Sequence, residues 1–385
     1  MRMVALAAAI AAVLATGTWF ALTRASAQDS TGSHAAGAPR QHAGTQPRTV
    51  AAVPLRVASV SPATGSRGVN GARPVRIVFS APLAADSPLP ELSPAIAGQW
   101  QPVSGNGLQF VPRRGFVQDT VVRIRIPGGA AGVRSASGGL LAKTVSVRFR
   151  TRTFATLRLQ QLLAQLGYLP LNWTPAPSPD AAPTGANAQL SAAFSPPAGT
   201  FTWEHGYPRE LRTFWRRGSS GLVLTGAVMA FESDHGMTID GVAGQAVWAA
   251  LLRAVARLQT NSHGYTYARA SEKSPETLTI WHDGRVVFRS AANTGIPVAP
   301  TTIGTAPVYL RYTFQIMRGT NPDGSHYADP VSWVSYFRAG EAVHYFPRYS
   351  YGYPQSLGCV ELPYDAAKRA WPYLTYGSLV TVAAP

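Results

Sequence analysis

Short alternations of apolar and polar residues dominate the chain from Leu55 to Thr151. Pro74–Ser80 (PVRIVFS), Gly107–Pro112 (GLQFVP), Thr120–Pro127 (TVVRIRIP) and Val145–Thr151 (VSVRFRT) place an apolar residue at about every second position. Side chains alternate between the two faces of a strand, so this period predicts strands with one face buried and one in water. Gly- and Pro-rich turns separate the runs, which predicts a small β-sandwich over residues 55–152. The period then changes. Leu157, Leu159, Leu162, Leu163 and Leu166 recur near helical spacing and Gly167 follows as a stop. Leu171–Thr200 is rich in Pro and Ala and predicts a loop, part of an insertion at 171–224 within a helical module at 153–258. Thr225–Leu252 reads as helix, Gly-rich turn, helix. Strands return in the last domain, 259–385, where TLTIW and VVFRS flank His282-Asp283-Gly284-Arg285, with Asp-Gly as a hairpin turn. SWVSYFRAGEAVHYF and GSLVTV predict further strands, and Asp365–Trp371 a short helix stopped by Pro372. The expected fold is mainly β and multidomain, with mostly antiparallel pairing in the last domain.

The first 27 residues depart from this pattern. Arg2 precedes an almost wholly apolar run, Val4–Leu22, and Ala25-Ser26-Ala27 fits a small-residue cleavage site. This is a signal peptide or an uncleaved membrane anchor, because an apolar run of about 19 residues can just span a bilayer. Either reading places the rest of the chain outside the cytoplasm. Residues 28–54 are polar, rich in Pro and Gly and aperiodic, and predict a disordered linker.

Charge narrows the partners. The net charge is +16, which draws the protein to polyanions such as anionic wall polymers. The arginines are scattered and no nucleic-acid motif appears, so nucleic acid is not an expected partner. Membrane contact is expected only through the N-terminal segment, where it is uncleaved. Asp234 and His235 lack further ligands at metal spacing, so no metal site is predicted.

Cys359 is the only cysteine in 385 residues. An odd thiol outside the cytoplasm has no intramolecular partner, so it is either buried and inert or functional. His344 precedes it by fifteen residues, across YFPRYSYGYPQSLG, a stretch of Tyr, Pro and Gly that predicts a loop. A loop of that length can bring imidazole and thiol together. The imidazole would then take the thiol proton and leave an activated nucleophile. Gly358 would let backbone approach a substrate, and the N–H groups of Gly358 and Cys359 would donate to an oxyanion.

Several stretches carry resemblances. SPATGSRGV, VRIVFS, GQWQP, LQFVP and GGLLAKTVSVRFRT resemble bacterial Ig-like modules of wall proteins. LQQLLAQLGY and AVMAFESDHGMTIDGVAGQAVWAALL resemble the halves of a peptidoglycan-binding three-helix module, split here by the insertion. TGIPVAPTTIGTAPV, EAVHYF, SLGCVEL and GSLVTV resemble the L,D-transpeptidase catalytic domain of the YkuD family. That resemblance implies a β-rich catalytic domain and a cysteine-dependent acyltransferase with Cys359 as nucleophile and His344 as base. It also implies roles for Ser356 and Gly358, and an orienting backbone carbonyl, here expected at Tyr345. The implied reaction forms a thioester on a peptidoglycan stem peptide and then a 3→3 cross-link, or carboxypeptidase activity with water. No cofactor is implied. Arg338 and Arg348 are candidate partners for stem carboxylates, or solvated surface charges. Trp333, Tyr336 and Tyr351 are candidate pocket walls, or core. The chain departs from the family at Leu357, where a second His is usual, and at Glu361, where Asn or Arg is usual. Leu357 keeps an alternative open, a catalytically degenerate wall-binding protein. Sortases space His and Cys farther apart, and NlpC/P60 peptidases reverse their order.

Overall fold

The computed structural model describes residues 52–385 except 114, 178–182 and 184. Residues 1–27, expected as a signal peptide or membrane anchor, and residues 28–51 of the expected linker lie outside the described residues. Among the described residues no helix is long and apolar enough to cross a membrane.

The alternating runs become two packed sheets. Strands β1 (Val57–Ser61), β2 (Val75–Phe79), β4 (Gly98–Val103) and β5 (Gly107–Pro112) form one, in the order β1-β2-β5-β4. Strands β3 (Glu91–Ser93), β6 (Val121–Ile126) and β7 (Val145–Arg150) form the other. Val75, Ile77, Phe79, Val122, Ile124, Ile126 and Phe149 are buried between the sheets. Fully burying each such side chain stabilises by about 1.5–3 kcal/mol.

Next come α1 (Thr156–Gln165), β8 (Leu171–Pro175), α2 (Ala186–Phe194), β9 (Gly199–Trp203), α3 (Leu222–Asp234) and α4 (Gln245–Arg257). The segment expected as a loop over Leu171–Thr200 is structured. β8 pairs antiparallel with β9, because LNWTP alternates and sends Leu171 and Trp173 inward. Pro and Ala content obscured that period, and Ala192, Ala193 and Phe194 let α2 bury a face despite its short length.

This insertion binds its neighbours together. Phe194 of α2 stacks edge-on with Phe154, and its ring lies where a side chain at Gly71 of the sandwich would be. Trp173 joins the core of α1, α3 and α4. Tyr207 donates to the Tyr265 carbonyl at 2.7 Å, and Tyr267 donates to Glu210 at 3.0 Å. Asp234 accepts from Tyr168, and His235 contacts the Phe231 carbonyl.

The last domain has two sheets. β10 (Thr266–Ser271), β11 (Thr277–His282), β12 (Arg285–Ala291), β13 (Gly304–Pro307) and β18 (Leu379–Ala383) form one, in the order β12-β11-β10-β18-β13. β14 (Leu310–Thr320), β15 (His326–Arg338), β16 (Glu341–Tyr345) and β17 (Val360–Leu362) form the second. Helix α5 (Tyr364–Ala370) buries Ala366, Ala367 and Ala370 in the core that both sheets share. Pairing is antiparallel except for β10 with β18 and β16 with β17.

Helix α3 rests on the turn before β18. A Cβ at Gly226 would lie 2.4 Å from the Gly377 carbonyl oxygen, so the two backbones touch there. Gly226→Ala is therefore expected to lower stability by about 1–3 kcal/mol through overpacking. A helix-propensity gain of about 1 kcal/mol opposes this loss. The urea midpoint measures the balance, and an unchanged or raised midpoint would show that this contact is loose.

Candidate active site

β16 and β17 run parallel and side by side, with His344 opposite Glu361 and Val343 opposite Val360. Parallel neighbours need a long connection. Here residues 346–359 supply it, and Cys359 lies at its end, one residue before β17. Strand pairing thus sets Cys359 at the start of the strand that lies beside the one carrying His344.

The connection is pinned along its length. The Thr294 carbonyl accepts from the N–H groups of Gln355 and Ser356, both at 2.9 Å, and Ile296 donates to the Ser356 carbonyl at 2.9 Å. Asn293 exchanges backbone bonds with Glu361 at 3.0 and 2.9 Å, and its side-chain oxygen accepts from Gly352 N–H at 2.9 Å. Glu276, itself buried, anchors Thr294 through the backbone N–H at 2.6 Å and the hydroxyl at 2.8 Å. The sequence reading missed Glu276 and Asn293 because their partners, Thr294 for the first and Gly352 and Glu361 for the second, meet them only in the folded chain.

Ser356 closes the turn around the thiol. Its hydroxyl donates to the Cys359 carbonyl at 2.6 Å and accepts from Gly358 N–H at 3.1 Å. That second bond corrects the expected oxyanion pair, since the Gly358 N–H is already engaged. The need for glycine at 358 is conformational. Its φ is +110°, a region L residues rarely adopt, while a Cβ there would meet nothing closer than 3.8 Å. Leu357 points its side chain largely to solvent, at 37% exposure.

Cys359 is 9% exposed and packs with Val331, Val334 and Ala342, with Met317, Tyr336 and Phe346 against this cluster. Its sulfur lies 3.8 Å from the Gly340 carbonyl oxygen. Burial pushes the thiol up to about 12, a bond from the Ala342 N–H pulls it down, and the Glu361 and Glu341 carboxylates raise it further. The resting group is a thiol. Burial also raises the Tyr327 and Tyr336 phenols, and the nearby Cys359 charge adds to both shifts.

His344 is 3% exposed, and its Nδ1 lies 2.9 Å from the Tyr345 carbonyl oxygen. A carbonyl only accepts, so Nδ1 carries the hydrogen and Nε2 of the neutral ring keeps its lone pair. Burial holds the imidazole below its ordinary pKa. The Tyr345 bond and Glu361 oppose that shift, and Arg348 reinforces it. Free thiol and neutral base are thus the resting pair.

Arg348 is the second correction. Its Nε and Nη2 each donate to Glu361 at 2.8 Å, and Nη2 also donates to the Gln355 carbonyl at 2.9 Å. Glu361 is nearly fully buried and forms the other half of this clamp. A guanidinium so committed is not a free receptor for a substrate carboxylate. Arg338 donates to the Thr302 and Ile303 carbonyls at 3.1 and 3.2 Å, bracing the loop before β13. Trp333 packs against Trp371 and Tyr364 beside α5, so it belongs to the core there. Tyr351 donates to the Phe346 carbonyl at 2.6 Å and serves the loop. Of the three aromatics expected to wall a pocket, only Tyr336 packs against the Cys359 cluster.

Comparison with known proteins matches two segments of the chain to known families. Residues 266–382 match the family model for the L,D-transpeptidase catalytic domain, YkuD. Residues 51–151 match that for a bacterial Ig-like domain. The chain thus carries an L,D-transpeptidase catalytic domain behind an Ig-like domain. Among solved structures, an L,D-transpeptidase from Mycobacterium smegmatis is 15% identical over 86% of this chain and 100% of its own, with a TM-score of 0.29. L,D-transpeptidase 3 from Mycobacterium tuberculosis is 16% identical over 85% and 98%, with a TM-score of 0.29. The catalytic domain of the Enterococcus faecium L,D-transpeptidase is 25% identical over 30% and 95%, with a TM-score of 0.29. No curated protein matches.

Removing one half of the buried clamp leaves a charge without its partner. Arg348→Ala is expected to cost about 3 kcal/mol in chemical denaturation, and Arg348→Met with Glu361→Gln to recover most of that loss. Equal losses for the single and double variants would mean that the pair is not coupled.

Proposed function

We propose that this protein is an L,D-transpeptidase that acts outside the cytoplasm on peptidoglycan stem peptides, with Cys359 as nucleophile and His344 as general base. One observation carries the reading. The lone thiol lies at the start of β17, beside β16, whose His344 is held by the Tyr345 carbonyl as an Nδ1–H tautomer. That tautomer leaves Nε2 free to accept a proton.

The chemistry follows from the resting states. The thiol is neutral in the closed pocket, so proton removal accompanies attack. As Sγ bonds to the carbonyl carbon of the third stem residue, Nε2 takes the thiol proton. The tetrahedral intermediate collapses, the amide bond to the terminal D-Ala breaks, and the imidazolium returns the proton to the departing amine. A side-chain amine of a second stem then attacks the thioester, forming a 3→3 cross-link and restoring the thiol. Water in its place gives carboxypeptidase activity. The Cys359 N–H makes no hydrogen bond among the described residues and is the donor available to an oxyanion. Because the sulfur is nearly closed in, a substrate has to displace side chains of the Cys359 cluster, including Tyr336 and Met317. The helical module serves as a wall-facing support.

A catalytically degenerate wall-binding protein is the competing reading, favoured by the exposed Leu357 and the buried thiol. Incubation with a carbapenem followed by intact-mass measurement separates the two. The enzyme gains a covalent adduct that Cys359→Ala loses, whereas the scaffold gains none under conditions that label an active transpeptidase.

The pH profile tests the base. A lowered imidazole pKa keeps Nε2 unprotonated through neutral pH, so acylation should fall only below the ordinary histidine value of about 6.5. A plateau is expected from about pH 7 to pH 10. An acylation rate climbing about tenfold per pH unit toward 12 would instead mean unassisted thiolate attack.

A further inference from the structure

The outer face of the β3-β6-β7 sheet bears four arginines. Arg123 and Arg125 on β6, and Arg148 and Arg150 on β7, point away from the sandwich core and are exposed. Two of them are balanced, because Arg125 pairs with Glu91 at 3.4 Å and Arg150 with Asp119 at 2.8 Å. The other two are not. Arg123 and Arg148 stand directly opposite each other across the antiparallel pair, and neither has a carboxylate partner among the described residues. Like charges facing across a sheet destabilise it. They line a depression of about 540 Å³ together with the paired Arg125 and Glu91, and with Thr64, Ser93 and Ser146 as neutral polar neighbours. Arg67, exposed in the loop that bonds to the edge of β7, extends the positive field.

We infer that this face is a docking surface for a linear, phosphate-bearing anionic polymer. Charge complementarity argues for it: two unneutralised guanidiniums held close match the bidentate geometry that phosphate oxygens accept. The strand repeat argues for a linear partner. Side chains on one face recur about every 7 Å along a strand, so Arg125 and Arg150, though each shares a carboxylate, extend the free pair Arg123 and Arg148 along the strands in opposite directions. The side chains of this face include no aromatic residue on which bases could stack, which argues against single-stranded nucleic acid. Val121 is its only exposed apolar side chain, too little to insert into a lipid interface. The surface lies outside the catalytic domain and does not depend on the proposed reaction.

The test uses the full chain, long-chain inorganic polyphosphate as the probe, and titration at low and high salt. Polyphosphate should bind at low ionic strength and release near 1 M salt, where the screening length shrinks to about 3 Å. Arg123→Gln with Arg148→Gln should weaken binding by roughly tenfold while leaving the melting temperature unchanged or raised, because a repulsive pair has gone. Arg125→Gln, whose charge is already neutralised, should weaken it less. Binding unaffected by the double variant overturns the assignment. So does equal competition by orthophosphate at matched phosphate concentration, which would mean an isolated anion site. Tighter binding to phosphatidylglycerol vesicles or to single-stranded DNA than to polyphosphate overturns the choice of partner.

Discussion

The parallel pairing of β16 with β17 is the constraint on which the site depends. Its register sets His344 against Glu361 and leaves Cys359 at the mouth of β17. A parallel neighbour cannot be reached by a tight turn, so the chain must make an excursion of fourteen residues between the strands. The bonds from Glu276, Asn293 and Thr294 hold that excursion in one path. Without them the thiol would sit at the end of an unguided loop, and the entropy of ordering it would fall on the substrate.

Glu361 is a nearly fully buried carboxylate on β17. A buried carboxylate needs a countercharge, and Arg348 provides it with two bonds of 2.8 Å. The pair has a consequence for the imidazole beside it. Glu361 favours the protonated ring and Arg348 disfavours it, so the two act in opposite directions at His344, and burial, the largest cause, sets the direction. This chain thus places two charges beside its base while leaving that base neutral.

Local order was legible in the sequence. The sandwich strands followed from period-two alternation, and the β11–β12 hairpin from its Asp-Gly turn, where Asp283 and Gly284 both take positive φ. Cys359 stood out in the sequence because a lone thiol has few roles, and His344 was named as its partner only through the residue order of the resembled family. The structured insertion was not legible, because Pro and Ala hid a five-residue alternation whose inward residues find partners only in the folded helical core. The fate of Arg348 was equally hidden. Nothing local tells whether a guanidinium faces solvent, a substrate or a glutamate thirteen residues on, since burial of that glutamate is a tertiary fact.

The insertion sets one more property. Phe194 reaches the sandwich, Trp173 the helices, and Tyr207 the backbone just before β10, so a single segment mortars three neighbours. Cutting the chain after α4 would strip cover from Tyr265, Tyr267 and Leu379, all buried in the core shared with the helices. The parts are therefore poor interchangeable cassettes. From the sandwich to the thiol, residues 52–385 pack as one unit rather than as beads on a string.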